Sequence, residues 1–244
     1  MSLAAPTLMH LPAWFLGLTV LTHAATAQTF SSGENRTHLI ELFSSEGCSS
    51  CPPAEEWLGG LRASPALWRD FVPVAFHVVY WDRLGWRDRF ASKEFTNRQY
   101  AYSAAWHSDN VYTPEFVVDG SEWRHSSVIN PVIPSAESAG VLSAAWTADG
   151  MCRVAFSRSG KYEVHLALLG GNISSKVGAG ENGGRTLHHE FVALHLESAP
   201  VDGGTAELKL ARPEVTGISR YALAVWITRR GELAPVQATG GWLE

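Results

Sequence analysis

The sequence predicts an α/β fold over its first half that gives way to a β-rich, sandwich-like C-terminal region. Three observations carry this. An apolar run from Leu39 to Phe43 leads through a Ser/Glu/Gly loop into Cys48-Ser49-Ser50-Cys51, and Pro52-Pro53 then opens a helix. A second, nearly continuous apolar run, Phe71 to Val79, is the kind of strand a parallel sheet buries on both faces. Beyond residue 140, short alternating segments follow one another between Gly-, Asp- and Asn-rich turns, with no helices among them.

Strand, C-x-x-C, helix is the layout of a thioredoxin-type redox site. Unpaired backbone N–H groups and the positive end of the dipole at a helix start favour a thiolate over a thiol. This geometry predicts two catalytic sulfurs, with Cys48 exposed and attacking and Cys51 resolving from the first turn. Pro52 suits that turn, where its missing N–H has no intrahelical acceptor to lose. The competing readings are a permanent disulfide and half of a metal site.

The elements follow in order. Residues 1–27 read as a secretory signal peptide: an apolar stretch from Leu11 to Leu21 is short for a membrane span, and Ala25-Thr26-Ala27 has the small-x-small pattern of a cleavage site. The mature chain then starts near Gln28 in a periplasmic or otherwise exported, oxidising compartment, where disulfides persist. Residues 28–37 are polar and predict a mobile leader. Residues 38–43 form strand one, 52–63 helix one and 71–79 the next strand, a right-handed crossover unit. Residues 80–90 mix aromatics with both signs of charge in a loop past a buried strand end, where active faces of open sheets lie. Trp81 and Trp86 are its candidate substrate-groove residues. A helix capped by Ser92 runs to about Trp106. Thr113-Pro114 precedes an apolar strand and is the place for a cis proline facing the cysteines. Asp119-Gly120 marks a hairpin turn, and a last helix is expected over 126–139. The boundary near residue 140 divides a first domain (28–140) from a β-rich second one (141–244), with strands over 151–157, 162–169, 187–196, 205–210 and 221–228.

Composition narrows the partners. The chain of 244 residues has a formal net charge of −5 and no basic cluster, which argues against nucleic acid and anionic lipid. Three cysteines leave Cys152 over, a small buried strand residue by preference and a third exchanging thiol otherwise. Two cysteines with His77 or His107 would suit zinc or copper, yet no second C-x-x-C or close His pair completes a site. The adjacent His188 and His189 point to opposite faces of a strand, and His77 reads as a hydrogen-bonded core residue. No metal and no cofactor is expected. The Gly-rich stretch 178–185 lacks the strand-to-helix setting and Lys-Ser/Thr ending of a phosphate loop, and no G-x-S-x-G supports a hydrolase. Glu55 and Glu56 are expected to complement the helix dipole.

Several stretches together resemble one family. They are Glu41 to Ala54 around the cysteines, Phe76 to Asp88, Arg98-Gln99, Tyr112-Thr113-Pro114 and Gly180-Glu181-Asn182-Gly183-Gly184-Arg185-Thr186-Leu187. The chain resembles the secreted family labelled domain of unknown function 1223 over nearly its whole mature length. The resemblance implies a thioredoxin-like fold in an exported protein and says little about reaction. Val79 and Glu115 depart from the family, which often has Asp and Gln there; a carboxylate after the proline opposes thiolate formation nearby. The expected function is thiol-disulfide exchange with protein thiols or disulfides, served by an unidentified redox partner, without nucleic acid or, after cleavage, membrane. The alternative is a non-catalytic binding module around a structural Cys48–Cys51 disulfide.

Overall fold

The computed structural model describes residue 1 and residues 27–124, 134–210 and 215–244. The expected signal peptide and the start of the helix expected over 126–139 lie outside the described residues. The described end of that segment, residues 134–139, is not helical: Ser138 bridges Asn35 in an antiparallel pair. No described helix is long and apolar enough to cross a membrane.

The polar stretch after residue 27 is a strand and not a mobile leader. β1 (Gln28–Ser31) pairs antiparallel with β6 (Leu142–Trp146) and buries one residue, Phe30. One apolar anchor in four residues is too weak a pattern to read as a strand. β2 (His38–Ser44) and β3 (Phe71–His77) are parallel neighbours in continuous register, from His38 opposite Phe71 to Ser44 opposite His77. Burial on both faces explains why each reads as an unbroken apolar run. α1 (Pro52–Gly60) lies between them in sequence, and a 3-10 turn spans Val79–Leu84. α2 (Lys93–Ala105) starts where Ser92 Oγ accepts from the Phe95 N–H at 3.1 Å. β4 (Glu115–Val118) runs antiparallel to β2 and turns into β5 (Ser121–Trp123). Asp119 and Gly120 make that turn with φ of 49° and 83°, the positive pair a two-residue hairpin of matching twist demands.

Side chains alternate across β2 and β3. Glu41, Phe43 and Phe76 meet α2 through Arg98, Tyr102 and Phe95, whereas Ser44 and His77 meet Glu55 of α1. The two helices therefore cover opposite faces.

The second half supplies β7 (Met151–Phe156), β8 (Tyr162–Gly171), β9 (Ile173–Lys176), β10 (Thr186–His189), β11 (Val192–Val201), β12 (Thr205–Lys209), β13 (Arg220–Arg229) and β14 (Pro235–Leu243). The strand expected over 187–196 is two strands: β10 pairs with β9, and Phe191, at φ 58°, redirects the chain into β11. Residue 140 marks a change of texture and not an edge of the sheet. One eight-stranded sheet runs β14-β13-β8-β11-β3-β2-β4-β5, so strands of both halves share it. The join is narrow, with Val192 opposite Ala75 and the Ala75 N–H donating to the Phe191 carbonyl at 2.8 Å. A four-stranded antiparallel sheet, β1-β6-β7-β12, packs its alternating apolar face on β8 and β13, enclosing Leu142, Val154, Leu166 and Val225. The fold is β-rich, with this second core giving the expected sandwich. Cys152 sits in that core, wholly buried, and burial pushes its thiol up to about 12. It is the small apolar strand residue the sequence suggested.

Candidate functional site

Cys48 and Cys51 are joined by a disulfide with their Cα atoms 5.5 Å apart. Cys51 is the N-cap of α1, and its carbonyl accepts from the N–H groups of Ala54 and Glu55 at 3.0 and 3.1 Å. Across from the pair, the Thr113–Pro114 bond is cis. The Thr113 carbonyl oxygen lies 3.8 Å from Cys48 Sγ and accepts from Ser50 Oγ at 3.4 Å. Trp81 Nε1 donates to Thr113 Oγ1 at 2.8 Å, so this tryptophan holds the proline edge in place. Its backbone side also presses on Gly47, where a Cβ would sit 2.9 Å from Trp81 Cβ; only glycine fits.

The expectation of an exposed Cys48 is corrected by the structure: both cysteines are 0% exposed, and Ser49 and Ser50 alone face solvent. The Gly-rich β9–β10 loop lies against the backbone of the cysteine loop. Asn182, wholly buried, donates from Nδ2 to the carbonyls of Glu46 and Cys48, both at 2.9 Å. Arg185 holds the Asn182 Oδ1 at 2.6 Å, and Glu181 accepts from the Ser49 N–H at 2.9 Å. Gly178 lies against the Trp86 ring, with room for a Cβ only 3.0 Å from it. Trp86, expected in a groove, is instead under this loop and donates from Nε1 to Glu46 Oε2 at 2.6 Å.

A cleft of about 390 Å³ opens beside the pair, lined by Ser50, Pro53, Trp57, Pro114, Phe116 and Trp123 among others. Its aromatic wall is Trp57 and Trp123, from α1 and β5, and neither Trp81 nor Trp86 is among its lining residues. Next to Pro114, Glu115 is buried and accepts from Gln99 Nε2 at 2.6 Å. Burial pushes its carboxyl up to about 7, against that hydrogen bond and with help from the Glu122 charge.

Behind the cysteine loop, on the α1 face, five ionisable side chains meet in the core: Glu46, Glu55, His77, Asp88 and His189. Glu55 points inward, accepting from Ser44 Oγ and His189 Nδ1; Glu56 stays exposed. Glu55 is the acidic residue of the first turn of α1, so it stands where the dipole role was expected and also turns its carboxylate into the core. Asp88 Oδ2 pairs with His77 Nδ1 at 2.7 Å and accepts from the Glu46 N–H at 2.8 Å, while its Oδ1 accepts from the Phe90 N–H at 2.9 Å. His189 Nε2 lies 3.3 Å from Glu46 Oε1, and His77 Nε2 lies 3.8 Å from Glu55 Oε1. Burial opposes every one of these charges, but mutual pairing wins. Glu55 and Glu46 hold His189 at about 10, and His77 holds Asp88 at about 2. His77 is raised by Asp88 and Glu55, and His189 lowers both glutamates.

His77 is the hydrogen-bonded core histidine that was expected, and His189 is buried while His188 faces out. What sequence reasoning missed is their meeting, with ring centroids 5.3 Å apart, from opposite halves of the chain. The strand period in Thr186-Leu187-His188-His189 does put His189 on the side of buried Leu187, which was the available signal. Asn182 and Glu46 gave none, because each reads as a polar loop residue.

A family model described as a protein of unknown function (DUF1223) matches residues 39–228. Among solved structures, Protein AGR_C_4864 from Agrobacterium tumefaciens is 26% identical, with a TM-score of 0.63 over 85% of this chain and 95% of that one. HBP35 of Porphyromonas gingivalis is 12% identical with a TM-score of 0.52, over 87% of this chain and 76% of that one, a likeness of fold. No curated protein matches the sequence.

Proposed function

We propose that this chain, which belongs to the DUF1223 family, is an exported thiol-disulfide oxidoreductase whose first half has a thioredoxin-like fold. The observation that carries this reading is the opposition of Cys48 and Thr113-Pro114, with the proline-side carbonyl 3.8 Å from Cys48 Sγ at a helix N-terminus. A substrate chain laid along the Trp57–Pro114 cleft has its sulfur beside Cys48. In the oxidising direction a substrate thiolate attacks Cys48 Sγ, the Cys48–Cys51 bond breaks, and Cys51 leaves as a thiolate near the helix start. A second substrate thiolate then attacks the substrate sulfur of the mixed disulfide. Two electrons pass from the substrate dithiol to the cysteine pair, which ends reduced; the reductase direction is the reverse. Because both sulfurs are buried, exchange requires the cysteine loop to open first, and the bonds from Asn182 and Glu181 to its backbone oppose that opening.

The test is a trap. Cys51→Ser, incubated with periplasmic or secreted extract, accumulates mixed disulfides through Cys48 that dithiothreitol releases. Complete burial of both sulfurs favours the second reading, a binding module in which the disulfide is permanent. A pair with a reduction potential below about −300 mV, typical of structural disulfides, together with no trapped species, overturns the oxidoreductase reading. Export is checked separately: the processed protein is expected in the periplasmic or culture fraction with its N-terminus near Gln28.

A further inference from the structure

The cluster on the α1 face holds more ligating atoms than its own pairing uses. One ligand atom each from Glu55, His77 and His189 falls within 4.8 Å of the others, while Glu46 stands outside this set as the ion-pair partner of His189 Nε2, with its Oε1 3.3 Å away. His77 Nε2 is buried without a hydrogen-bond partner, 3.8 Å from Glu55 Oε1. An unpartnered polar atom in a core is costly, and one set beside two further ligating side chains asks for a partner that all three share.

We propose that Glu55, His77 and His189 form a buried binding site for one divalent first-row transition-metal cation of the zinc class. Two imidazoles and one carboxylate are a borderline N/O donor set of that class, which leaves the fourth position to a water. The outer contacts are those a metal site needs. Asp88 takes the Nδ1 side of His77, which turns Nε2 toward the centre, a carboxylate–histidine arrangement that fixes tautomer and ring orientation. Trp86 holds Glu46 by Oε2 while Oε1 faces His189 Nε2, a second carboxylate–histidine contact that leaves Nδ1 as the ligating side of that ring. Phe90 lies edge-on to both imidazoles, with centroids 5.7 Å from each, and keeps them from swinging out. A path in exists: a cavity of about 630 Å³ between α1 and β10 has Glu55 and His189 in its lining, with Pro52, Gly59 and Arg62 nearby. A dication that displaces the two ring protons carries the same +2 charge against the three carboxylates, so the charge balance of the core is kept. The cysteines are not needed as ligands, so the site is independent of any redox reaction of the pair.

The experiment uses the purified full chain with Cys48–Cys51 oxidised, stripped with a chelator and titrated with Zn2+ by calorimetry, with Mg2+ as the control. One Zn2+ per chain is expected, with no comparable Mg2+ binding, and Zn2+ is expected to raise the thermal midpoint. Glu55→Gln and His189→Gln are each expected to weaken binding by about 10-fold or more, whereas the double variant Cys48→Ser/Cys51→Ser binds as the parent does. Glu55→Gln keeps the shape of the site, so it decides the matter if His189→Gln does not fold. Absence of stoichiometric Zn2+ binding overturns the proposal. So does binding that survives Glu55→Gln unchanged, or binding lost with the two cysteines, which would assign the metal to the thiols.

Discussion

Two buried charged clusters flank the same pair of strands, and they are built on different terms. On the α2 face, Glu41 meets Arg98 with Nε 2.6 Å from Oε1, Tyr102 donates to the other oxygen, and the guanidinium lies over Trp226 at 5.1 Å. One carboxylate faces one cation, and both Glu41 oxygens are bonded. On the α1 face three carboxylates face two imidazoles, and three polar atoms have no hydrogen-bond partner. The closed cluster pins a helix to a sheet. The open one sits directly behind the cysteine loop, and an incompletely satisfied set of charges in a core marks a place where a fold keeps chemistry.

The sharpest way to separate them is to delete a partner from the closed cluster. Arg98→Met leaves Glu41 buried and uncompensated, and is expected to cost about 3–5 kcal/mol in urea unfolding. Adding Glu41→Gln to it should restore most of that loss, since replacing both charges removes the orphan. If the double variant is no better than the single one, the cluster contributes by packing and not by pairing.

Glu115 is a third case, a buried carboxylate with only an amide, Gln99, as partner. Its folded-state value of about 7 lies above the unfolded one. A raised carboxyl contributes stability that is fully present while it is protonated in both states, and that is lost as pH rises from about 4.5 through about 7. Glu115→Gln is therefore expected to flatten the stability profile over that window and to be more stable than the parent by about 1–3 kcal/mol at pH 8. Melting curves from pH 4 to 8 measure this, and a variant with the same slope as the parent shows that Glu115 stays ionised.

The contrast also explains what was legible in the chain. The cysteine loop, the parallel strands, the Thr113-Pro114 edge and the Asp119-Gly120 hairpin are local: a few neighbouring residues determine each, so their patterns sit in the sequence. Cys48 was expected to be exposed because local logic ends at the helix start, while Asn182, which ties down the Cys48 carbonyl, arrives from the other half of the chain. Glu46 and Glu55 give no local sign of burial for the same reason. Their burial depends on Trp86, His77 and His189, which only the joining of β11 to β3 brings near. β1 was missed because a single buried Phe30 carries no period.

Asn182 tests whether the open cluster is also the movable one. Its two bonds tie the carbonyls of Glu46 and Cys48 to the β9–β10 loop, so Asn182→Ala frees both sides of the cysteine loop to open more often. Losing bonds worth about 1 kcal/mol net predicts reduction of Cys48–Cys51 by dithiothreitol about 5-fold faster, followed by thiol labelling. An unchanged rate means that these bonds do not restrain opening of the cysteine loop.

The smallest expected effect is the one that bears most directly on the comparison. Glu46 Oε1 has no hydrogen-bond partner, and its Oε2 contact with Trp86 is one a glutamine oxygen can also accept. In metal-free protein, Glu46→Gln leaves two carboxylates against two imidazoles and removes the repulsion between Glu46 and Asp88 that opposes ionisation of both. It is therefore expected to change unfolding free energy by no more than about 1 kcal/mol, although Glu46 is as buried as Glu41. A cost near that of Arg98→Met would mean that Glu46 is a structural counter-ion of His189, and the two clusters would then differ in composition but not in kind.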